Sequence, residues 1–233
     1  EVVGCHHVGN RRYAVHAQRI EDARGGYDSA DVYDSAAIGG AVTARAELVG
    51  EGDIAVRHAH VAHTHPIAEV LVKVEALNVG GSIKTRTALN MIRQAERAGL
   101  LNEDTIIVEP TSGNQGIGLA LVGAVKGYRT IIIMPDSVSE ERRKLIRHYG
   151  AEVKLIHDRG DIGACIEECL QTALRMREND PRVFVPQQFE NVNNTLAHKK
   201  YTALEIMQQV AGPIHGFCSG IGTGGTITGI GEV

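Results

Sequence analysis

A glycine-rich loop places one lysine at the start of a predicted helix. Residues 78–86 read NVGGSIKTR, in which two glycines allow a sharp turn and Lys84 follows them. A lysine at a helix N-terminus lies at the positive end of the helix dipole, which disfavours the charged form of its amine. Because the neutral amine is the form that attacks a carbonyl carbon, this position favours imine chemistry. The alternative is a solvated lysine on a capped surface helix.

Two other loops carry small polar residues that suit an anion. Residues 109–118 read EPTSGNQGIG, and their free backbone N–H groups, with the side chains of Thr111, Ser112 and Asn114, could bind a carboxylate or a phosphate. Residues 219–226 read SGIGTGGT, and their glycines and threonines suit a phosphate. Both loops lie between a predicted strand and a predicted helix. An ordinary strand–helix turn is the alternative for each.

The last loop also matches a weak dinucleotide-binding pattern. Gly220, Gly222 and Gly225 fit GxGxxG, but that pattern needs an acidic residue about 20 positions later. The sequence ends at Val233, before such a residue could be identified. A nucleotide-binding oxidoreductase therefore stays open as an alternative, although it gives Lys84 and residues 111–115 no role.

Strands and helices alternate from residue 67 onward. The predicted strands are 69–74, 105–108, 130–134, 152–156, 183–185 and 214–218. The predicted helices are 85–98, 116–126, 164–177 and 196–210, with another that begins after residue 226. A capping box at 137–140 predicts one more helix, which continues to residue 149. This alternation predicts an α/β fold with a parallel sheet and helices on both of its faces. In such folds ligands bind at the carboxyl ends of the strands, where the three loops lie.

Composition excludes several other classes of protein. The 233 residues are 43% hydrophobic, and the net charge of −4 is spread along the chain without a basic stripe, which argues against a nucleic-acid partner. No apolar run could span a membrane and no signal peptide is evident, so we expect a soluble protein. Four cysteines without a CxxC pair favour the cytoplasm. Because the sequence stops a few residues into a predicted helix, we expect a fragment of a longer chain.

One lysine loop and two anion loops, in this order, resemble the cysteine synthase and cystathionine β-synthase family of pyridoxal-phosphate enzymes (fold type II). Within it, the chain is most similar to the cysteine synthases (O-acetylserine sulfhydrylases). The resemblance covers about residues 64–231, and its most specific parts are TSGN at 111–114 and GTGGT at 222–226. Further matches are KGY at 126–128, GAE at 150–152, and QFEN at 188–191 with His198 downstream.

The resemblance implies two three-layer αβα domains, each with a parallel sheet. Residues 1–63 would form a histidine-rich segment of unclear fold. Residues 64–180 would carry the lysine and the substrate carboxylate site. Residues 181–233 would begin the phosphate-binding domain, which we expect to be truncated.

The resemblance also implies a role for each site residue. Lys84 would form the Schiff base with pyridoxal phosphate and would move the substrate α-proton. Asn114 would bond to the cofactor ring hydroxyl. The residues expected to bind the substrate carboxylate are Thr111, Ser112, Gly113, Asn114, Gln115 and Gln188. The residues expected to hold the cofactor phosphate are Gly222, Thr223, Gly224, Gly225 and Thr226.

The implied reaction is a β-replacement. An activated L-serine such as O-acetylserine would react with sulfide or another thiol and form cysteine, in a cytoplasmic homodimer without nucleic-acid or membrane partners. A cystathionine β-synthase-like or other β-eliminating lyase is one alternative. A non-catalytic relative that binds a metal or another protein is a further alternative.

The sequence departs from the family pattern at several positions. The family usually has aspartate where Thr85 stands, threonine where Gln115 stands and proline where Val79 stands. Gln115 therefore indicates an altered carboxylate loop. The family serine or threonine that bonds to the pyridine nitrogen lies in a C-terminal section that this sequence does not include.

A histidine cluster precedes the part that resembles the family. His58, His60, His63 and His65 could bind zinc or copper if they lay on a strand, and the CHH at residues 5–7 could add ligands. No carboxylate or cysteine framework completes such a site, so we predict that these histidines are structural and that no metal is bound. Cys165 and Cys169 are four apart on a predicted helix, which indicates two small buried residues more than a redox pair.

Overall fold

The computed structural model describes residues 70–233 and, before them, the backbone of two short strands at 42–44 and 56–61. His63, His65 and residues 5–7 lie outside the described residues. His58 and His60 lie in the second strand, where only the backbone is described. The described chain divides into two compact units. One comprises the described residues up to Leu77 with Leu204–Ile221, and the other comprises Asn78–Ala203 with Gly222–Val233.

The first unit contains a small antiparallel sheet. Its strands are β1 (Val42–Ala44), β2 (Val56–Val61) and β3 (Val70–Lys73), in that order across the sheet. A short 3₁₀ turn at Glu75–Leu77 follows. The Lys73 ammonium pairs with Glu205 at 3.0 Å and donates a hydrogen bond to Gln209 at 2.7 Å, both within this unit.

The second unit contains a four-stranded parallel sheet in the order β6-β5-β4-β7. Its strands are β4 (Ile106–Pro110), β5 (Arg129–Pro135), β6 (Glu152–Ile156) and β7 (Val183–Phe184). The helices of the described chain are α1 (Lys84–Arg97), α2 (Asn114–Lys126), α3 (Glu140–His148), α4 (Ile162–Asn179), α5 (Val192–Ala197), α6 (Ala203–Gln209) and α7 (Gly225–Gly231). A π-helical turn, His198–Thr202, lies between α5 and α6.

Alternate residues of the central strands enter two different hydrophobic cores. Ile107 and Ile132 pack with α1, α2 and α3 on one face of the sheet. Val108 and Ile131 pack with α4 on the other face. Because successive side chains of a strand point to opposite faces, an unbroken run of apolar residues is buried on both sides. The predicted α/β fold with a parallel sheet and helices on both faces is confirmed.

A close contact between α1 and α2 fixes the position of the lysine. A Cβ atom on Gly118 would lie 2.9 Å from the backbone oxygen of Lys84 and 3.1 Å from Cβ of Ala88. Only a glycine lets the two helices approach this closely. The first turn of α1 is therefore held directly against the turn of α2 that follows the Asn114 loop.

Most predicted elements agree with the structure to within two residues, but two do not. The predicted strand at 214–218 is wrong, because residues 212–221 have no regular structure. A strand is stable only beside a hydrogen-bonded neighbour, and none of the described strands pairs with this segment. The predicted helix at 196–210 begins earlier, at Val192, and is interrupted by the π-helical turn. The predicted domain boundaries after residues 63 and 180 stay predictions.

We expect Gly118→Ala to lower the free energy of unfolding by about 1–3 kcal/mol, because its methyl group would collide with the backbone of α1. This loss would occur although alanine favours helix over glycine by up to about 1 kcal/mol. The matched control is Gly231→Ala in α7, where a methyl group would meet no described atom within 4 Å. Urea unfolding of both variants is the measurement, and equal stabilities would contradict the close contact.

Candidate active site

The lysine loop is closed by its own side chains. Gly80 and Gly81 both have positive φ angles, +88° and +74°, which a side chain would strain. The Thr85 hydroxyl donates a hydrogen bond to the carbonyl oxygen of Val79, and the Ser82 hydroxyl accepts one from the backbone N–H of Lys84 at 3.2 Å. Thr85 and Val79, two of the departures from the family pattern, thus contact each other.

Burial disfavours the charged form of Lys84. The side chain is half-buried, and this desolvation lowers its pKa from the usual value, whereas the negative charge of Glu109 acts in the opposite direction. Among the described residues, its amine has no hydrogen bond or ion pair. A half-buried amine with no bonded partner is suited to nucleophilic chemistry, and the role of Lys84 in imine chemistry stays a prediction.

The loop before α2 leaves its backbone open to a ligand. Thr111 donates its N–H to Ile133 at 3.0 Å, and its hydroxyl accepts the N–H of Gly113 at 3.2 Å. No side chain caps α2 at Gly113, and a Cβ atom there would meet no described atom within 4 Å. Asn114, the first residue of α2, is exposed. Open N–H groups at the start of a thirteen-residue helix attract a negative charge.

Gln115 is buried against the lysine helix. Its Oε1 lies 2.8 Å from the Thr87 hydroxyl, which also lies 2.9 Å from the backbone oxygen of Lys84. Its Nε2 is buried and, among the described residues, has no hydrogen-bond partner. Because the Thr87 hydroxyl has a single proton for these two oxygens, the Gln115 amide and Thr87 form a buried hydrogen-bonding pair that joins the loop to α1.

A buried carboxylate fixes the turn that carries Gln188. Glu109, at the end of β4, accepts the backbone N–H of Gln187 at 2.9 Å and that of Gln188 at 3.0 Å. Gln187 has a φ of +53°, the one positive value outside glycine in the described chain, so this turn depends on such support. Burial raises the pKa of Glu109 to about 7, although the two N–H groups and Lys84 favour its charged form.

Asn194 of α5 and His198 of the following π-helical turn contact the glycine loop. Asn194 donates to the backbone oxygen of Gln188 and to the Thr223 hydroxyl, both at 2.8 Å. His198 lies 3.3 Å from the Thr226 hydroxyl. Gly224 has a φ of +79°, and neither it nor Gly222 would place a Cβ atom within 4 Å of any described atom. The loop backbone is therefore open on one side.

Hydrogen bonds join the parts of the site that are distant in sequence. They run from Glu109 to Gln188, from Gln188 to Asn194 and from Asn194 to Thr223. Asn90 of α1 donates to the backbone oxygen of Asn193 at 2.6 Å, which links the lysine helix to α5. A half-buried amine, an uncapped start of α2 and an open glycine loop fit pyridoxal phosphate.

The sequence interpretation missed Glu109 and Asn194 and gave His198 no role beyond a match to the family pattern. A charged residue at the end of an otherwise apolar strand was the available signal for Glu109. Asn194 and His198 are four apart and so lie on one helical face, which was the signal for them.

Three other features of the described chain were candidates in the sequence. Cys165 and Cys169 are both buried and free, which confirms the interpretation as small buried residues. No three metal-binding side chains come together among the described residues. None of the described helices is both long enough and apolar enough to cross a bilayer.

Two buried titratable groups give the free energy of unfolding opposite dependences on pH. The pKa of Glu109 is raised to about 7, so the folded state holds its proton more tightly and stability falls as pH rises from about 4.5 to about 7. Burial lowers the pKa of His198 to about 4, so stability instead rises between about pH 4 and pH 6.5. In the shared range the two effects offset each other.

We therefore expect Glu109→Gln to reveal the contribution of the histidine. Relative to the unmodified protein, its free energy of unfolding should rise more steeply between about pH 5 and pH 6.5, by up to about 1.4 kcal/mol per pH unit for one proton. His198→Gln removes the group whose contribution rises with pH. The free energy of unfolding of this variant should therefore rise less steeply than that of the unmodified protein, or fall, over the same range. Urea unfolding across this pH range measures both slopes, and parallel curves for the three proteins would contradict the pKa shifts.

Comparisons with known proteins identify the family. The family model described as pyridoxal-phosphate dependent enzyme matches residues 47–233. A cysteine synthase of a Flavobacterium species is 49% identical over 163 residues, 70% of this chain and 52% of that protein. A probable cysteine synthase of Bacillus subtilis is 44% identical over 168 residues, 71% of this chain and 53% of that protein.

Solved structures give the same result. A hydrogen sulfide-producing enzyme from Fusobacterium nucleatum superposes with a TM-score of 0.65 at 46% identity, over 70% of this chain and 52% of its own. The chain thus spans about half the length of the relatives that it matches. Because the family model covers most of the sequence, including every residue of the site, the chain belongs to the family of pyridoxal-phosphate dependent enzymes.

Proposed function

We propose that the chain takes part in pyridoxal-phosphate dependent β-replacement, in which an activated L-serine such as O-acetylserine reacts with sulfide or a thiol to give cysteine. The observation that carries the proposal is the half-buried Lys84 amine, which has no bonded partner among the described residues and lies on the helix packed against the Asn114 loop. The similarity to cysteine synthases over 70% of the chain supports the same reaction.

Each part of the site has a role in this proposal. Lys84 binds the cofactor covalently and carries the substrate α-proton. Asn114 bonds to the cofactor ring hydroxyl. When bound, pyridoxal phosphate acts as an electron sink that permits loss of the α-proton and of the β-substituent. The groups proposed to bind the substrate carboxylate are Thr111, Ser112, Gly113, Asn114, Gln115 and Gln188.

The glycine loop completes the proposed site. Its residues Gly222, Thr223, Gly224, Gly225 and Thr226 would hold the cofactor phosphate through hydroxyl and backbone donors. The uncapped backbone N–H groups at the start of α2 support a carboxylate nearby, because a carboxylate can only accept hydrogen bonds when it is ionised.

The wider assignments are proposals of the same kind. Fold type II, a cytoplasmic location and a homodimer are typical of the family that the sequence resembles. Residues 64–180 would form the lysine and carboxylate domain, and residues 181–233 would begin the phosphate domain. A small-molecule amino acid and sulfide or a thiol would be the reactants.

The cofactor lysine can be tested by absorbance. Addition of pyridoxal phosphate to the protein should produce a visible band, and Lys84→Ala should abolish it because no amine remains at that position. Borohydride reduction followed by mass spectrometry of peptides should find the cofactor on Lys84. Lys154→Ala, which removes an exposed lysine of β6, is the matched control and should keep the band. A band that survives Lys84→Ala would refute the assignment.

The reaction can be tested by product formation. With O-acetylserine and sulfide, the loaded protein should form cysteine, and Lys84→Ala should lower the rate roughly 10²–10⁴-fold through loss of its proton transfer. O-acetylserine that turns over only to pyruvate would instead indicate elimination. No turnover of any activated serine by a protein that shows the band would refute β-replacement while leaving cofactor binding intact.

A further inference from the structure

We infer that Asn194 and His198 orient the hydroxyl groups of Thr223 and Thr226 as hydrogen-bond donors, and so act as positioning residues for the cofactor phosphate. The inference rests on the proposed function, since it assumes that this loop holds a phosphate. It concerns two buried side chains that do not touch the ligand themselves. Their effect would pass through the two threonines.

The hydrogen bonds of Thr223 leave one possible direction for its proton. The Asn194 group that faces the backbone oxygen of Gln188 must be its NH₂, because a carbonyl oxygen can only accept. The same nitrogen lies 2.8 Å from the Thr223 oxygen and donates its second proton there. The Gly225 N–H, at 3.3 Å, uses the other lone pair of that oxygen. The hydroxyl of Thr223 can therefore only donate to a third partner, which must be an acceptor.

His198 can impose the same direction on Thr226. The imidazole is fully buried, with Nδ1 3.1 Å from the Thr202 hydroxyl and Nε2 3.3 Å from the Thr226 hydroxyl. Burial first, and then the positive charges of Lys84 and Arg86, lower its pKa to about 4, so the ring is neutral and carries one proton. With that proton on Nε2, the ring donates to Thr226, whose own proton then points away. With the ring proton on Nδ1 instead, Nε2 would accept the proton of the Thr226 hydroxyl. The lone pairs of that hydroxyl would then face the phosphate, to which they could donate nothing.

Two glycines without side chains let the start and the middle of α7 lie close to Asn194 and His198. A Cβ atom on Gly225 would lie 2.5 Å from Oδ1 of Asn194, and one on Gly229 would lie 2.8 Å from Cβ of His198. The helix that follows the loop thus contacts both positioning residues without an intervening side chain. Oδ1 of Asn194 is itself buried without a partner among the described residues, so both hydrogen bonds of this amide come from its NH₂ group.

The test compares two ligands that differ only in the phosphate. Dissociation constants for pyridoxal phosphate and for pyridoxal are measured with the unmodified protein, His198→Asn and His198→Gln. We expect His198→Asn to bind pyridoxal phosphate roughly tenfold more weakly, the value of one lost hydrogen bond, and to bind pyridoxal unchanged. His198→Gln, whose longer amide can reach Thr226, should retain most of the affinity. Equal losses for both ligands, or no loss, would overturn the inference.

A double substitution shows whether His198 acts through Thr226. Thr226→Val should weaken pyridoxal phosphate binding at least as much as His198→Asn does. If the histidine acts through that hydroxyl, adding His198→Asn to Thr226→Val should cause little further loss. Independent losses that multiply would show a separate role for His198 and would overturn the inference.

The tautomer can be measured without any variant or cofactor. Nitrogen-15 chemical shifts of His198 in the unmodified protein should show a neutral ring with its proton on Nε2. A proton on Nδ1 would overturn the inference whatever the binding results. An unmodified protein with the Nε2 proton but without the visible band would count against the proposed function and not against the orientation of the threonines.

Discussion

The site depends most on the two hydrogen bonds that the Glu109 carboxylate accepts. This carboxylate lies at the end of the central strand and accepts two backbone N–H groups of the segment after β7. A buried charge is costly, and here the two N–H groups and the nearby Lys84 offset part of that cost. Without the carboxylate, the two donors would stay buried and unpaired. The turn at Gln187, which has a positive φ, would then lose its support, and Gln188 and Asn194 would lose their positions.

Close backbone contacts determine the rest of the geometry. Gly118 lets α2 touch the first turn of the lysine helix, and Gly229 lets α7 touch the helix that carries His198. In both places a site loop is held by main-chain contact, which leaves little freedom for side-chain rearrangement. The two proposed ligand loops are thereby fixed to helices that contact each other, because α1 packs against α5.

The sequence was sufficient for most elements and for the loops but not for the contacts between them. Apolar runs and glycines predicted most strands and helices, and the motifs located Lys84 and the glycine loop. The segment at 214–218 had the composition of a strand, but pairing with a neighbour decides whether a strand forms. Glu109 contacts residues 78 and 79 positions away, so no local pattern indicates its partners. Asn194 was likewise hidden, because its contacts depend on how α5 meets the glycine loop.

The parallel pairing of β4 with β7 has a consequence for the order of folding. Ile106 of β4 pairs with Val183 of β7, and both β5 and β6 lie between these strands in the sequence. This pairing therefore closes a much longer loop than the β4–β5 or β5–β6 pairings do. Contacts of high sequence separation form slowly, and we expect β7 to join the sheet last. The amides of Gln187 and Gln188 would then be the last of the sheet region to gain protection in pulsed hydrogen exchange, and cofactor capture would wait for that step.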